Sequence, residues 1–194
     1  MTNDQRTIWT IGHSRHELVD LLGLIQKFQI EVIVDVRTTP MSKMTPQFNE
    51  AVLNKFLISN NIKYIPMGKE LGGRPDDLSM YDKSGRVLYN KLAVSDLFKN
   101  GINRIVNGTK ENRIALLCSE GKPEACHRHL LIGRVLSEKG FNVINIYPDG
   151  QSKSYIELTK SDDQLTLMEV GGEKEWKSVL PVRQESRQND SFFN

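Results

Sequence analysis

The sequence has no long apolar run, few cysteines and little net charge. No stretch approaches the roughly 18 consecutive apolar residues of a membrane-spanning helix, and the polar N-terminus, MTNDQR, lacks the apolar core of a signal peptide. Two cysteines in 194 residues are too few for a disulfide scaffold. A net charge of +2 does not by itself indicate a nucleic-acid partner. We therefore expect a cytoplasmic protein with reduced thiols and no membrane partner.

Short β-rich stretches alternate with stretches of helical periodicity along the first 149 residues. The predicted strands are 7–12, 31–36, 62–66, 113–119 and 141–147. The second of them, EVIVDV, has the apolar character of a strand buried on both faces. This alternation predicts an α/β fold of three layers. We expect a mostly parallel, Rossmann-like sheet of about five strands, with helices on both faces.

The pattern changes after residue 149 and divides the chain into an α/β domain, 1–149, and a C-terminal extension, 150–194. In the extension, YIELT (155–159) and LTLMEV (165–170) are interpreted as a hairpin or as edge strands. The end of the chain, 183–194, is interpreted as a loose tail.

Helix boundaries within the domain are predicted from capping and stop signals. Ser14 and Glu17 fit an S-x-x-E capping box for the first helix. One helix is expected around 87–107. Another is expected to follow Pro123 and to end at Gly140.

Polar and glycine-rich residues follow four of the predicted strands. Ligands of open α/β sheets bind beyond the carboxyl ends of the strands, so these residues are predicted to share one edge. They are His13 and Ser14 after the first strand, Asp35 and Arg37 around the end of the second, Gly72, Gly73 and Arg74 after the third, and Cys118, Glu120, Cys126, His127 and Arg128 after the fourth. Their convergence predicts a functional site at that edge.

Arg128 occupies an unusual position on the helix predicted after Pro123. It lies four residues before Ile132, on the stripe that faces the core. The helix dipole disfavours a cation in the first turn and favours an anion. Two interpretations remain open. Arg128 binds a phosphate or carboxylate together with free N–H groups of the helix start, or it forms a structural ion pair with Asp35 or Glu120.

The stretch CSEGKPEACHR (118–128) contains both cysteines and allows three interpretations. A metal would need about four ligands. The candidates are Cys118, Cys126, His127, and His13 or Glu120. The C-x7-C-H spacing is not a standard zinc spacing, so we assign no metal ligand. The sequence does not identify a cofactor. A nucleophilic thiolate would be stabilised at Cys126 by the helix start and by its neighbours His127 and Arg128. In the third interpretation, both cysteines pack as small apolar residues around an anion site.

Two further positions have both a structural and a functional interpretation. His13, at a strand-to-helix turn, is a candidate general base, anion partner or metal ligand. Asp35 ends a buried strand and needs a partner. The candidate partners are Arg37, Arg74 and Arg128. The loop ELGGRP (70–75) combines backbone freedom with a guanidinium, which suits closure over an anion; the alternative is a plain glycine turn.

Five stretches together resemble the domain of unknown function family 488. They are TIGHS (10–14), DVRTTP (35–40), PQFN (46–49), YIPMGKELGGRP (64–75) and LLCSEGKPEACHRHLL (116–131). The resemblance implies the α/β fold and a set of signature positions: His13, Asp35, Arg37, Gly72, Gly73, Arg74, Cys118, Glu120, Cys126, His127 and Arg128. It implies no particular reaction. Such proteins often carry Ser-Arg after Pro40, where this chain has Ser42-Lys43, which keeps the charge but loses the bidentate guanidinium.

The favoured hypothesis is an enzyme that acts on an anionic, phosphate-bearing ligand, either a nucleotide or a nucleic acid. The catalytic candidates are Cys118, Glu120, Cys126, His127 and His13, of which Glu120 and His13 would move protons. The substrate-binding candidates are Ser14, Asp35, Arg37, Gly72, Gly73, Arg74 and Arg128. The alternatives are a non-catalytic nucleotide- or nucleic-acid-binding module and, as a weaker one, a structural metal site.

Overall fold

Six strands form one sheet in the computed structural model, which describes residues 6–166 and 176–181. They are β1 (Thr7–Gly12), β2 (Val32–Asp35), β3 (Lys63–Pro66), β4 (Ile114–Cys118), β5 (Asn142–Ile146) and β6 (Ser152–Ser154). Their order across the sheet is β3–β2–β4–β1–β5–β6, and β6 alone of these six is antiparallel to its neighbour. Because β4 and β1 are central, their carboxyl ends lie side by side, with Gly12 paired to Cys118.

Helices cover both faces of the sheet, as expected for the predicted three-layer α/β fold. They are α1 (Leu18–Lys27), α2 (Glu50–Ser59), α3 (Gly68–Leu71), α4 (Tyr89–Val94), α5 (Asp96–Gly108), α6 (Arg134–Glu138) and α7 (Tyr155–Thr166), and a π-helical segment, Arg128–Gly133, leads into α6. Within the described part of the chain, no helix has the length and apolar character needed to cross a membrane.

Alternating strand residues supply two separate apolar cores. On one face, α1 and α2 bury leucines and isoleucines against Trp9 and Ile33. On the other face, α5 and the π-helical segment pack against Ile8, Val34 and Leu116. Each fully buried side chain of this size contributes about 1.5–3 kcal/mol relative to an exposed one.

The start of α1 differs from the predicted capping box. The helix begins at Leu18, and its N-cap is Glu17, which forms a reciprocal box with Asp20. Ser14 instead adopts a left-handed conformation, with φ of +52°, where the chain turns away from β1. The expectation that Ser14 caps this helix is therefore wrong, because the turn takes four residues before the helix begins.

Two other predicted helices are shorter than expected. The helix expected around 87–107 is interrupted at Ser95, whose hydroxyl accepts a hydrogen bond from the Phe98 backbone N–H and caps α5. The helix expected after Pro123 begins only at Arg128, with a π-helical turn. Gly140 follows α6 with φ of +84°, which matches its predicted role as a stop.

The C-terminal extension departs from the predicted hairpin. A strand at 155–159 is wrong, because Tyr155–Thr166 is helical. Ser154 and Glu157 form a reciprocal capping box, with the Ser154 N–H donating to Glu157 Oε2 at 2.6 Å and the Glu157 N–H donating to Ser154 Oγ at 3.2 Å. The strand that joins the sheet is β6, which ends at Ser154, the first residue of this box. Residues 167–170 of the second expected strand, and the tail 183–194, lie outside the described residues.

Candidate functional site

A cleft of about 340 Å³ opens at the carboxyl edge of the sheet. Six of the residues singled out in the sequence line it: Arg37, Gly73, Arg74, Cys118, Glu120 and His127. The other six do not line it: His13, Ser14, Asp35, Gly72, Cys126 and Arg128. The structure thus brings the ends of β2 and β4 and the loop after β3 together around one cavity.

Backbone hydrogen bonds that continue the sheet hold these segments in place. The His13 N–H donates to the Cys118 carbonyl at 2.9 Å, one step beyond the last β1–β4 pair. The Val36 N–H likewise donates to the Leu117 carbonyl at 3.0 Å, and the Met67 N–H to the Asp35 carbonyl at 2.8 Å. The walls of the cleft are therefore extensions of a rigid sheet.

Both thiols converge on one carboxylate oxygen. Cys118 Sγ lies 2.6 Å and Cys126 Sγ 3.2 Å from Glu120 Oε2, to which both donate. His127 Nδ1 lies 3.8 Å from each sulfur. The thiols are buried, whereas Glu120 is exposed. We name Cys118, Glu120, Cys126 and His127 the cysteine cluster.

The cysteine cluster could hold a metal ion. One ligand atom from each of its four residues lies within 4.8 Å of the other three. The C-x7-C-H spacing does not weigh against a metal here, because the loop between Cys118 and Cys126 folds back on itself. Separation along the chain therefore does not measure separation in space.

His127 is fixed by the segment that follows β2. Its Nε2 donates to the Val36 carbonyl at 3.0 Å, which leaves Nδ1 facing the sulfurs. Burial opposes ionisation of this ring, but the neighbouring Cys118 raises the pKa of His127 above its usual value. Gly73 packs directly against the ring, since a Cβ at that position would lie 2.7 Å from His127 Cγ.

The two thiols of the cysteine cluster differ in acidity. Hydrogen bonding with Cys126 lowers the pKa of Cys118 well below its usual value, and His127 adds to this effect. Burial raises the pKa of Cys126. Because Cys118 also lines the cleft and Cys126 does not, Cys118 is the better placed of the two to react with a ligand.

Arg128 braces the loop that carries Glu120. Its side chain is fully buried, as its place on the core-facing stripe predicted. The guanidinium donates to the carbonyls of Glu120 and Gly121, the latter at 2.9 Å, and Nε donates to Thr10 Oγ1 at 3.3 Å. Neither sequence interpretation describes this arrangement, because Arg128 contacts backbone carbonyls rather than a carboxylate and does not reach the cleft.

Asp35 has Arg37 as its partner among the three candidates. Arg37 Nε donates to both carboxylate oxygens of Asp35, at 2.9 and 3.0 Å. The Tyr64 hydroxyl donates to Asp35 Oδ2 at 2.6 Å. The Asp35–Arg37 pair is almost completely buried, with the Arg37 side chain 6% exposed and the Asp35 side chain 1% exposed. Asp35 therefore orients Arg37, and it does not itself line the cleft.

His13 supports Arg37 from behind the cleft. Its ring stacks on Phe48 with centroids 4.2 Å apart, and Nδ1 donates to the Ser14 carbonyl at 2.9 Å. Nε2 is then the acceptor for Arg37 Nη1 at 3.2 Å. Burial, together with the Arg37 cation, lowers the pKa of His13 to about 4. This neutral, enclosed ring positions Arg37 and does not fit the expected role of moving protons in the cleft.

Arg74 is the exposed cation of the cleft wall. Its backbone N–H donates to Thr38 Oγ1 at 3.1 Å, which ties the loop after β3 to the loop after β2. Gly72 allows this close approach, because a Cβ there would lie 2.4 Å from Thr38 Oγ1. The backbone of Arg74 is thus fixed beside the loop after β2, and the residue lines the cleft.

Several residues that line the cleft were not predicted from the sequence. Tyr89, at the start of α4, is buried beside the cysteine cluster, and burial raises its pKa. Ser178 belongs to the extension, exchanges hydrogen bonds with Val87 through its backbone N–H and its hydroxyl, and places Leu180 against the cleft. The sequence carries no signal for such pairing between distant segments, since it depends on where the chain returns after α7.

The fold and the site together define an α/β protein with a cleft that contains cysteine, histidine and arginine at the carboxyl edge of its sheet. Residues 17–135 match the family described as "Domain of unknown function DUF488". This match covers more than half of the chain, so the chain belongs to that family, as the resemblance implied, although the TIGHS stretch (10–14) precedes the matched residues. A search of curated proteins and a search of solved structures each returned no match.

Proposed function

We propose that this protein is an enzyme that acts on an anionic, phosphate-bearing ligand, a nucleotide or a nucleic acid, bound in the cleft. The observation that carries the proposal is that Arg37 and Arg74 line the same cavity as three members of the cysteine cluster. Positive charge for holding a phosphate and groups able to react with it are therefore within reach of one bound molecule.

The two arginines suit different parts of the binding task. Arg74 is exposed at the cleft wall, where its guanidinium can offer a bidentate contact to a phosphate. Arg37 is held in one orientation by Asp35 and His13, so it supplies a preorganised donor at little entropic cost.

The carboxylate of Glu120 favours an enzyme over a passive binding module. A negative charge beside an anion site weakens anion binding. A general acid or base, in contrast, has to lie there, and Glu120 is exposed to the cleft and beside two thiols. Cys118, at the same wall, is the candidate nucleophile.

The test is a turnover screen of the parent protein against nucleotides, phosphodiesters and short single-stranded DNA and RNA. We expect turnover that falls by about 100-fold or more in Glu120→Gln, the size of a lost general acid or base. The matched control is Glu111→Gln, an exposed carboxylate at the opposite edge of the sheet, which should leave turnover unchanged.

Two outcomes contradict the proposal. If the parent neither binds nor turns over any member of the panel, the proposed ligand class is wrong. Binding that is undiminished in Glu120→Gln, with no turnover by the parent, would instead favour the non-catalytic nucleotide- or nucleic-acid-binding module.

A further inference from the structure

The distances from His127 Nδ1 to the two sulfurs of the cysteine cluster match those between the ligands of one tetrahedral zinc ion. Ligands about 2.0–2.3 Å from a zinc ion lie about 3.3–3.8 Å from one another at tetrahedral angles. Each sulfur lies 3.8 Å from His127 Nδ1, and the four ligand atoms fall within 4.8 Å of one another. The ligand atoms therefore lie close enough together to bind one ion.

The orientation of His127 is a second and independent observation. Its Nε2–H donates to the Val36 carbonyl, which fixes the tautomer with an unprotonated Nδ1 when the ring is neutral. A histidine that binds a metal through one nitrogen commonly donates from the other to a backbone carbonyl. Here the free nitrogen faces both sulfurs, where a ligand lone pair is needed.

The charge distribution also fits a cation. Two buried thiols share a single oxygen of Glu120, so the cluster concentrates groups that become anionic on ligation. The nearby buried cation, Arg128, directs its guanidinium to backbone carbonyls of the loop and to Thr10. A divalent ion would take the place of the two thiol protons, which leave to solvent as it binds.

We propose that Cys118, Cys126 and His127 bind one divalent transition-metal ion of the zinc class. Two sulfurs and one imidazole nitrogen select such an ion over magnesium or calcium, which prefer oxygen ligands. Cys118 and His127 line the cleft together with the exposed Glu120, so a fourth position on this ion would be reached from the cleft. An open fourth position distinguishes catalytic zinc sites from structural ones.

This inference deepens the proposed function, on which the part played by Glu120 rests, and it makes Cys118 a metal ligand in place of the nucleophile. Zinc lowers the pKa of a bound water to about 7. Glu120 stands where a base could accept the proton of such a water, and Arg74 lies on the same cleft wall as a contact for the anionic group under attack. Metal binding itself does not depend on the identity of the substrate.

The experiment measures metal content and cobalt(II) binding of the full chain, purified under reducing conditions without chelator. We expect about one zinc per chain, and we expect the stripped protein to bind cobalt(II) with the intense absorption of a tetrahedral cobalt–thiolate site. Cys126→Ser and His127→Ala should weaken cobalt binding by about tenfold or more. His16→Gln, which removes a histidine outside the cluster, should bind as the parent does.

Glu120→Gln separates the two proposals, since it should retain the ion while losing turnover. An ion content near zero together with no cobalt–thiolate absorption in the parent overturns the metal site, whether or not the cysteine variants fold. Turnover by metal-free parent protein overturns the catalytic part of the inference, in which the ion supplies the attacking water, and leaves both ion binding and the proposed function standing. If the parent binds the ion but no member of the anionic panel, the metal site stands and the proposed function is wrong.

Discussion

His127 donates from Nε2 to the carbonyl oxygen of Val36, 3.0 Å away, and so joins the two halves of the site. Val36 lies between Asp35 and Arg37 on the segment after β2, whereas His127 belongs to the cysteine cluster after β4. Because the two segments are adjacent in a parallel sheet, one hydrogen bond fixes the reacting groups relative to the cationic wall. A change at this contact is expected to disturb both halves.

Gly73→Ala should displace the His127 ring. The new Cβ would lie 2.7 Å from His127 Cγ, closer than real contacts allow. We expect the free energy of unfolding to fall by about 1–3 kcal/mol, the usual cost of overpacking, and cobalt binding to weaken. The control is Gly23→Ala within α1, where a Cβ meets nothing within 4 Å and should stabilise the helix by about 0.5–1 kcal/mol. Equal behaviour of the two variants would contradict the account.

Asp35→Asn should destabilise the protein strongly. It removes the counter-charge of buried Arg37, and breaking a buried pair on one side costs about 3–5 kcal/mol. Tyr64→Phe removes one hydrogen bond to Asp35 and should cost about 1 kcal/mol. Urea unfolding measures both, and exposed Asp76→Asn should stay within about 0.5 kcal/mol of the parent. A loss for Asp35→Asn no larger than that of the control would show that Arg37 is not held by this pair.

Arg128→Met should lower the free energy of unfolding by about 2–4 kcal/mol in the absence of any ligand, because the carbonyls of Glu120 and Gly121 lose their donors. The matched control is Arg6→Met, at an exposed site on the opposite edge of the sheet. If Arg128→Met keeps the parent's stability and loses only ligand binding, Arg128 contacts the ligand after all.

His13 should make the protein less stable as the pH falls from about 6.5 to about 4. Its pKa is about 4 when folded, against 6.5 for an unperturbed histidine, so the unfolded state takes up a proton that the folded state excludes. The loss should reach at most about 3 kcal/mol at the acid end of this range. His13→Gln should lack this component and His16→Gln should retain it; unfolding curves at several pH values measure the difference. Matching pH profiles for parent and His13→Gln would contradict the assignment.

The layers of the fold were predictable because strand and helix patterns are local. The alternation of short β-rich stretches with amphipathic ones was enough to predict a parallel sheet. Because ligands of such sheets bind beyond the carboxyl ends of the strands, residues from different strands could then be assigned to one site. Helix boundaries were less predictable. The choice of Glu17 rather than Ser14 as the N-cap, and the helix break at Ser95, depend on how the preceding turn packs.

The direction of each side chain was not predictable from the sequence. The sequence placed Arg128 on the core-facing stripe correctly, but its carbonyl partners in the loop after β4 depend on the path of that loop. The position of His13 behind Arg37 and the wall contributed by Ser178 likewise depend on tertiary packing. The sequence identified which residues gather at this edge and left open which of them face the cleft.

The central claim is that this cleft binds the anionic ligand. Its most direct test is to measure the dissociation constant of a ligand from the nucleotide and oligonucleotide panel for Arg74→Ala and for Arg6→Ala. Both variants remove one arginine, but only Arg74 lines the cleft beside the cysteine cluster. A lost charge-assisted hydrogen bond of about 1.5–3 kcal/mol should weaken binding by about tenfold or more in Arg74→Ala and leave Arg6→Ala near the parent. Equal affinities for the two variants would contradict the claim that this cleft is the anion site.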